Sequence, residues 1–170
     1  MKIITSIFAA CLVFSVIYFL TGCTGSTTSI RYGKDTSLTR LAHNNDEQSY
    51  QALTLAQQEG NWEYNVSTYL FEDGDREFST NSIGVAYKPS KEWGWFYVDG
   101  GLGLRLTTKE RDNNWLADSN ILGSLNVGFG VKKTFKQWAL KLGLMLEHLS
   151  VPCRHDKGIN LNTFKVEVKF

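Results

Sequence analysis

The sequence predicts an all-β protein, an eight-stranded antiparallel transmembrane β-barrel of the outer-membrane type. Apolar residues recur at every second position through six successive segments after residue 60, and polar turns separate these segments. The opposite faces carry Gly, Ser, Asn and charged residues, which suits the narrow polar interior of a small barrel. The chain has 2 prolines beside 15 glycines and 22 aromatic residues (5 Trp, 7 Tyr and 10 Phe), a balance typical of strands and turns.

The N-terminal segment has the features of a secretory signal peptide. Lys2 supplies a positive charge, residues 3–20 are largely apolar and uncharged, and Leu-Thr-Gly-Cys follows at 20–23. This ending resembles a bacterial lipobox, in which Cys23 is acylated and becomes the first residue. An ordinary signal peptide and an uncleaved helix of borderline spanning length are the alternatives. The predicted organisation is a lipoprotein-type signal peptide at 1–22, a tether at 23–28 and a β-barrel domain at 29–170.

Charge and cysteine content exclude several classes of function. The chain has 18 Lys and Arg residues against 17 Asp and Glu, and removal of Lys2 leaves 17 against 17, a formal charge of zero. A neutral domain has no basic field to attract nucleic acid, so no nucleic-acid partner is expected. Of three cysteines, Cys11 lies in the signal and Cys23 at the lipidation site, which leaves Cys153 unpaired. This argues against a disulfide scaffold or a cysteine-ligated metal site, and we expect no metal or cofactor.

The strands are predicted in order from their alternation. Residues 29–60 are expected to supply the first two. Within them, SYQALTLAQQ (49–58) fits a strand or a helix, and we interpret it as a strand because the later pattern needs a partner there. The other six strands are predicted at 62–71, 82–87, 96–106, 124–132, 138–146 and 163–170.

The same alternation also fits a soluble sandwich or a lipocalin-like barrel with its apolar face inward. Strands of about 10 residues match a tilted span of the hydrocarbon layer, which favours a membrane barrel. Tryptophans at strand ends suit an aromatic girdle, and these are Trp62, Trp93, Trp95 and Trp138. Phe170, at the last position of an alternating strand, resembles the C-terminal signature recognised by the barrel assembly machinery. We therefore expect a location in the bacterial outer membrane, in contact with its lipids.

Strand parity singles out a polar patch near the outer end of the seventh strand. His148 and Ser150 continue the lipid-facing leucine series of that strand, while Asn160 and Asn162 continue the lipid-facing series of the eighth. An even strand count makes the connection VPCRHDK (151–157) extracellular. One interpretation is that these side chains simply lie in the head-group zone. The other is chemical, because an imidazole can take the proton of a nearby serine and a third group can orient the imidazole.

The segment from Glu147 to Asn160, E-H-L-S followed by a short loop and G-I-N, resembles the outer-membrane lipid A 3-O-deacylase family. FYVDGGLGLRLTT (96–108) and LNVGFGVKKTF (125–135) resemble the fifth and sixth strands of that family, and the likeness covers roughly residues 94–170. The family consists of eight-stranded barrels that remove an ester-linked acyl chain from lipopolysaccharide.

The resemblance implies a serine ester hydrolase whose site faces the lipid and whose substrate is lipid A in lipopolysaccharide. His148 would be the general base, Ser150 the nucleophile and Asn160 the residue that orients the histidine. Family members usually carry Asn-Ala-Gly or similar after the serine, with that asparagine in the oxyanion hole, where this chain has Val151. Loss of one oxyanion donor lowers rates by about two to three orders of magnitude. A backbone amide or Asn162 are alternative donors.

Other polar residues are expected to have structural roles. Glu147 should point into the barrel and pair with Lys141, Arg105 or Lys165, while Asp99 and Arg105 should join a polar interior network. His155 and Asp156 should be solvated in the loop, and His43 has no spacing that suggests a metal site. The alternative function is a non-enzymatic outer-membrane barrel lipoprotein with a structural or surface-interaction role, in which the loop at 107–120 matters more than His148.

Overall fold

The computed structural model describes residues 26–35, 48–73, 76–108, 120–151 and 158–169. Within these ranges the chain forms nine strands. The strands are β1 (Thr27–Asp35), β2 (Gln48–Glu59), β3 (Trp62–Asp73), β4 (Arg76–Tyr87), β5 (Ser90–Trp93), β6 (Phe96–Thr107), β7 (Ile121–Thr134), β8 (Ala139–Ser150) and β9 (Gly158–Lys169). Among the described residues, no helix is long and apolar enough to cross a membrane.

The strands close into an eight-stranded antiparallel barrel, as predicted. Strands β1 to β4 pair in succession, as do β5 to β9, while β4 pairs with β6 and β1 pairs with β9 to close the sheet. The short strand β5 continues β4, because Tyr87 lies opposite Leu102 and Ser90 lies opposite Asp99 in one unbroken register. Pro89 interrupts the ladder between them, since proline has no backbone N–H to donate. The two segments therefore act as a single barrel strand.

The apolar face of the barrel is turned outward. Leu102, Leu144 and Leu146 expose 66%, 55% and 62% of their surface, and large apolar side chains are similarly exposed on the other strands. A continuous outward apolar belt of this kind is the surface that a barrel presents to lipid. A lipocalin-like fold would bury this face instead, so the soluble alternative is wrong for this chain.

Aromatic side chains gather at the end of the barrel that has the short turns. Gly60 and Gly94, both with positive φ, make the tight turns from β2 to β3 and from β5 to β6. The tryptophans predicted for a girdle lie beside these turns and the one from β7 to β8. Phe135 and Trp138 stack with ring centroids 4.0 Å apart. In outer-membrane barrels the end with mostly short turns is periplasmic, and we therefore name the opposite end, toward which β8 runs, the extracellular end.

Ion pairs between buried side chains cross the barrel interior. The pairs that join non-adjacent strands are Arg31–Glu63, Arg105–Glu147 and Lys165–Asp99. The predicted inward position of Glu147 and its pairing with Arg105 are confirmed. Asp99 is also part of the interior network, as predicted, but its partner is Lys165. Each charge is matched by an opposite one, which is the arrangement that makes buried ions tolerable.

The interior at the extracellular end is partly apolar, with buried polar residues such as Thr80 and Ser124 beside the apolar ones, whereas the sequence predicted a polar interior. Its buried cluster consists of Tyr50, Ala52, Tyr69, Leu122, Leu149, Ile159 and Leu161, and we call it the upper core. Val151 packs against the upper core. At this level, β8 and β9 turn apolar side chains inward and polar ones outward, the reverse of their lower halves.

Several strands are longer than predicted. β4 begins at Arg76 and β9 at Gly158, because backbone pairing continues where the apolar alternation has stopped. β1 begins at Thr27, so two residues predicted as tether pair with β2 and β9. The segment 49–58 lies in β2, as interpreted from the sequence. Predictions that lie outside the described residues concern the signal at 1–22, Cys23, His43, Cys153, His155, Asp156 and Phe170.

Candidate active site

The β8–β9 hairpin carries the polar patch on its outer face near the extracellular end. His148, Ser150 and Asn160 are half-buried on that face, while the alternate residues Glu147 and Leu149 are buried inside the barrel. The period-two geometry of a strand produces this arrangement directly. The outward placement agrees with the predicted parity, and the catalytic roles of the three residues stay a prediction.

His148 and Asn160 lie directly opposite each other on β8 and β9. His148 Nδ1 lies 2.7 Å from Asn160 Oδ1. An amide oxygen can only accept a hydrogen bond, so Nδ1 donates and carries the ring proton of the neutral imidazole. The lone pair is then on Nε2. This is the tautomer that a general base needs if Nε2 is to take a proton from a nucleophile.

Ser150 lies between two glycines, Gly123 on β7 and Gly158 on β9. The imidazole of His148 leans over Gly158: a Cβ at position 158 would lie 2.7 Å from Cε1 and 3.1 Å from Nε2. Nε2 therefore reaches the level of the barrel at which Ser150 lies. Among the described residues no hydrogen bond joins His148 and Ser150, and the Ser150 hydroxyl lies on the Gly123 side, 3.7 Å from where a Cβ of residue 123 would be.

Buried apolar residues hold the hairpin from the inside. Leu149 lies between the two candidate residues of β8, and Ile159 and Leu161 flank Asn160 on β9. Sequence reasoning missed this support and also the role of Gly158. The sequence contains an indication of this support. Toward the loop that joins β8 and β9, the apolar residues of both strands occupy odd-numbered positions instead of even-numbered ones.

Asn162 does not suit the role of an alternative oxyanion donor. It lies opposite Leu146 and Lys34, four residues along β9 from the glycine that faces Ser150. Four strand residues span about 13 Å, which is beyond the reach of an asparagine side chain. Of the two alternatives, a backbone amide near Ser150 is the one compatible with the geometry.

Other titratable groups are separate from the patch. Glu147 points inward and pairs with Arg105, so it takes no part in the outward cluster. In the part of the chain that the structure describes, no group of three or more His, Cys, Asp or Glu side chains is arranged to hold a metal ion. The described side chains at the centre of this patch are an imidazole, a hydroxyl and an amide.

These features define an eight-stranded barrel of the outer-membrane type with an outward Ser–His–Asn cluster. Among solved structures, the fold is similar to that of the outer membrane enzyme PagL, with a TM-score of 0.53 and 13% identity over 85% of this chain and 99% of PagL. Neisserial surface protein A (NspA) aligns with a TM-score of 0.47 and 14% identity over 86% of this chain and 96% of NspA. The sequence matches no protein-family model and no curated protein. At these identities the likeness to PagL shows the fold alone.

Proposed function

We propose that this protein is a serine ester hydrolase of the bacterial outer membrane that removes an ester-linked acyl chain from lipid A. The observation that carries the proposal is the hydrogen bond from His148 Nδ1 to Asn160 Oδ1 on the outer face of the barrel. In the neutral imidazole this bond leaves the lone pair on Nε2, which lies over Gly158, the residue opposite Ser150. Histidine, serine and an orienting group form a recurrent constellation for acyl transfer.

The proposed reaction proceeds through an acyl-enzyme. Ser150 Oγ attacks the ester carbonyl carbon while His148 Nε2 takes the hydroxyl proton. The tetrahedral intermediate collapses, the C–O bond of the ester breaks, and the imidazolium returns its proton to the departing sugar oxygen. Water, deprotonated by the same nitrogen, then attacks the acyl carbon, the bond to Ser150 Oγ breaks, the imidazolium returns the proton to Oγ, and the fatty acid is released. Asn160 holds the ring in the required tautomer throughout.

The position of the site supports a lipid substrate. The cluster faces away from the barrel axis, at the extracellular end and above an outward apolar belt. A glycolipid of the outer leaflet would reach it sideways, with its acyl chains along the belt and its polar head near the loops. Lipid A is the lipid of that leaflet that has ester-linked acyl chains on a sugar. The likeness of E-H-L-S and G-I-N to the lipid A deacylase family, and the fold shared with the outer membrane enzyme PagL, point the same way.

The test is mass spectrometry of lipid A after incubation of lipopolysaccharide with the purified protein in detergent. We expect loss of one acyl group from lipid A and release of a free fatty acid. Ser150→Ala should abolish both, because no other hydroxyl occupies that position beside His148. Ser79→Ala is the matched control, since Ser79 is an exposed serine in β4 outside the cluster, and it should leave the reaction unchanged.

Heat-modifiable migration on gels should be the same for all three proteins and shows that the barrel is folded. Identical lipid A spectra for wild type and Ser150→Ala would contradict the esterase and favour the non-enzymatic barrel lipoprotein. The proposed location predicts that the protein is recovered with the outer membrane and stays there after an alkaline wash. Recovery in the soluble fraction would contradict it.

A further inference from the structure

We infer that Gly158 is a positioning residue, whose missing side chain lets His148 bond Asn160 through Nδ1 and place Nε2 over Gly158, the residue opposite Ser150. The inference about the ring stands on the geometry alone. Its consequence for the reaction rests on the proposed esterase function.

The imidazole occupies space above Gly158 that a side chain would need. A Cβ at position 158 would lie 2.7 Å from His148 Cε1, 3.1 Å from Nε2 and 3.1 Å from the carbonyl oxygen of Leu149. The first distance is well below the ordinary contact of about 3.5–4.0 Å between carbon atoms. The backbone of the β8–β9 ladder cannot retreat without loss of its pairing, so the ring would have to move.

Movement of the ring would change the contact of Nδ1 and the position of Nε2. Nδ1 is held at 2.7 Å by Asn160, and Nε2 lies on the Gly158 side. Rotation away from β9 would weaken the first contact and move Nε2 away from Gly158, the residue opposite Ser150. The absence of a side chain at position 158 therefore maintains both the tautomer of His148 and the direction in which Nε2 points.

Gly123 provides a matched comparison on the other side of Ser150. A Cβ at position 123 would meet the backbone and hydroxyl oxygens of Ser150 at 3.7 Å, which is ordinary contact. Both glycines lie opposite the same serine, on neighbouring strands. Only the one on β9 lies beneath the histidine, so alanine at the two positions should have different effects.

The direct test is nitrogen NMR of the histidine ring in detergent micelles. The chain has three histidines, so a full-length protein with His43→Gln and His155→Gln reports His148 alone. At alkaline pH we expect the Nδ1-protonated form in this background and in Gly123→Ala. Gly158→Ala should shift the signal toward the Nε2-protonated form. A loss of stability without displacement of the ring would not change the tautomer, and an unchanged tautomer in Gly158→Ala would overturn the inference.

The kinetic test uses lipid A deacylation by the otherwise natural sequence. Gly158→Ala should lower kcat by roughly 100-fold with KM unchanged, because displacement of a catalytic group by about 1 Å has a cost of this size. Gly123→Ala should retain the wild-type kcat. In an Asn160→Ala background, Gly158→Ala should cause a much smaller further loss, since the ring is no longer held against β9.

These readouts separate the inference from the proposed function. An inactive wild-type protein whose tautomer still responds to Gly158→Ala would overturn the esterase and support the positioning role. An active wild type with equal kcat in Gly158→Ala and Gly123→Ala would overturn the positioning role and keep the esterase. If Gly158→Ala lowered kcat by the same factor in the wild-type and in the Asn160→Ala background, the positioning role would also be overturned. Such a result would show that the glycine acts independently of the histidine.

Discussion

At the scale of single residues, the third member of the cluster is an amide where a carboxylate is common. Asn160 accepts the hydrogen bond of His148 and so selects a tautomer, but it carries no charge to stabilise the imidazolium that the proposed reaction forms. At position 160, orientation of the His148 imidazole can therefore be tested separately from stabilisation of its positive charge.

Substitutions of Asn160 test this separation. Asn160→Ala should lower kcat by roughly 10- to 100-fold, a part of the two to four orders of magnitude that a general base contributes. Asn160→Asp should match or exceed the wild-type kcat, because a carboxylate both accepts from Nδ1 and stabilises the imidazolium. Initial rates of deacylation measure both. Asn162→Ala on the same face of β9 is the control and should have no effect, whereas a loss there would show that Asn162 acts in the reaction.

Val151, which follows the candidate nucleophile, has a structural explanation. Its half-buried side chain packs against the upper core. An asparagine there would place an amide beside apolar neighbours at a cost unless it found a hydrogen-bond partner. Valine at this position therefore stabilises the hairpin, and the proposed esterase requires an oxyanion donor other than the side chain of residue 151.

At the scale of elements, the two faces of the β8–β9 hairpin exchange polarity along its length. In its lower part the outer face is apolar and the inner face is charged. Near the extracellular end, His148, Ser150 and Asn160 face outward while Leu149 and Leu161 are fully buried. The upper core thus provides a rigid base for a polar outer surface.

Truncation of Leu161 tests this role of the upper core. Leu161→Ala should lower the free energy of unfolding by about 2–5 kcal/mol, because it leaves a cavity among residues that cannot collapse into it. Leu144→Ala on the outer face of β8 should cost much less, since detergent or lipid chains fill the space. Urea unfolding in lipid vesicles, followed by tryptophan fluorescence, measures the difference. Equal destabilisation by the two variants would contradict a packed upper core.

At the scale of the whole molecule, interior ion pairs connect strands that are not neighbours in the sheet. Lys165 on β9 pairs with Asp99 on β6, and it also lies 2.6 Å from Glu167. Its ammonium lies 4.8 Å from the centre of the Tyr97 ring. Such contacts hold opposite walls of the barrel at a set distance, in addition to the backbone ladder.

Removal of this central cation should destabilise the barrel. Lys165→Met should lower the free energy of unfolding by about 3–5 kcal/mol, because buried Asp99 loses the cation with which it forms an ion pair. Lys133→Met, at an exposed position of β7, is the control and should have little effect. The same urea titration measures both. A small effect of Lys165→Met would show that water or another cation satisfies Asp99.

The sequence by itself determined the barrel, its outward apolar face and the side of the sheet on which each site residue lies. These properties depend on a period of two along one strand, which is local and visible in the order of residues. The strand lengths were less predictable, because backbone pairing in β4 and β9 extends beyond the apolar alternation.

Only the tertiary structure decided which residues meet across strands. The register places His148 opposite Asn160 and Ser150 opposite Gly158, and a shift by one residue would separate both pairs and turn the faces over. The upper core likewise draws on five strands, β2, β3, β7, β8 and β9. Pairing and packing of this kind depend on contacts between distant parts of the chain, so they follow from the closed barrel and not from the pattern of any single strand.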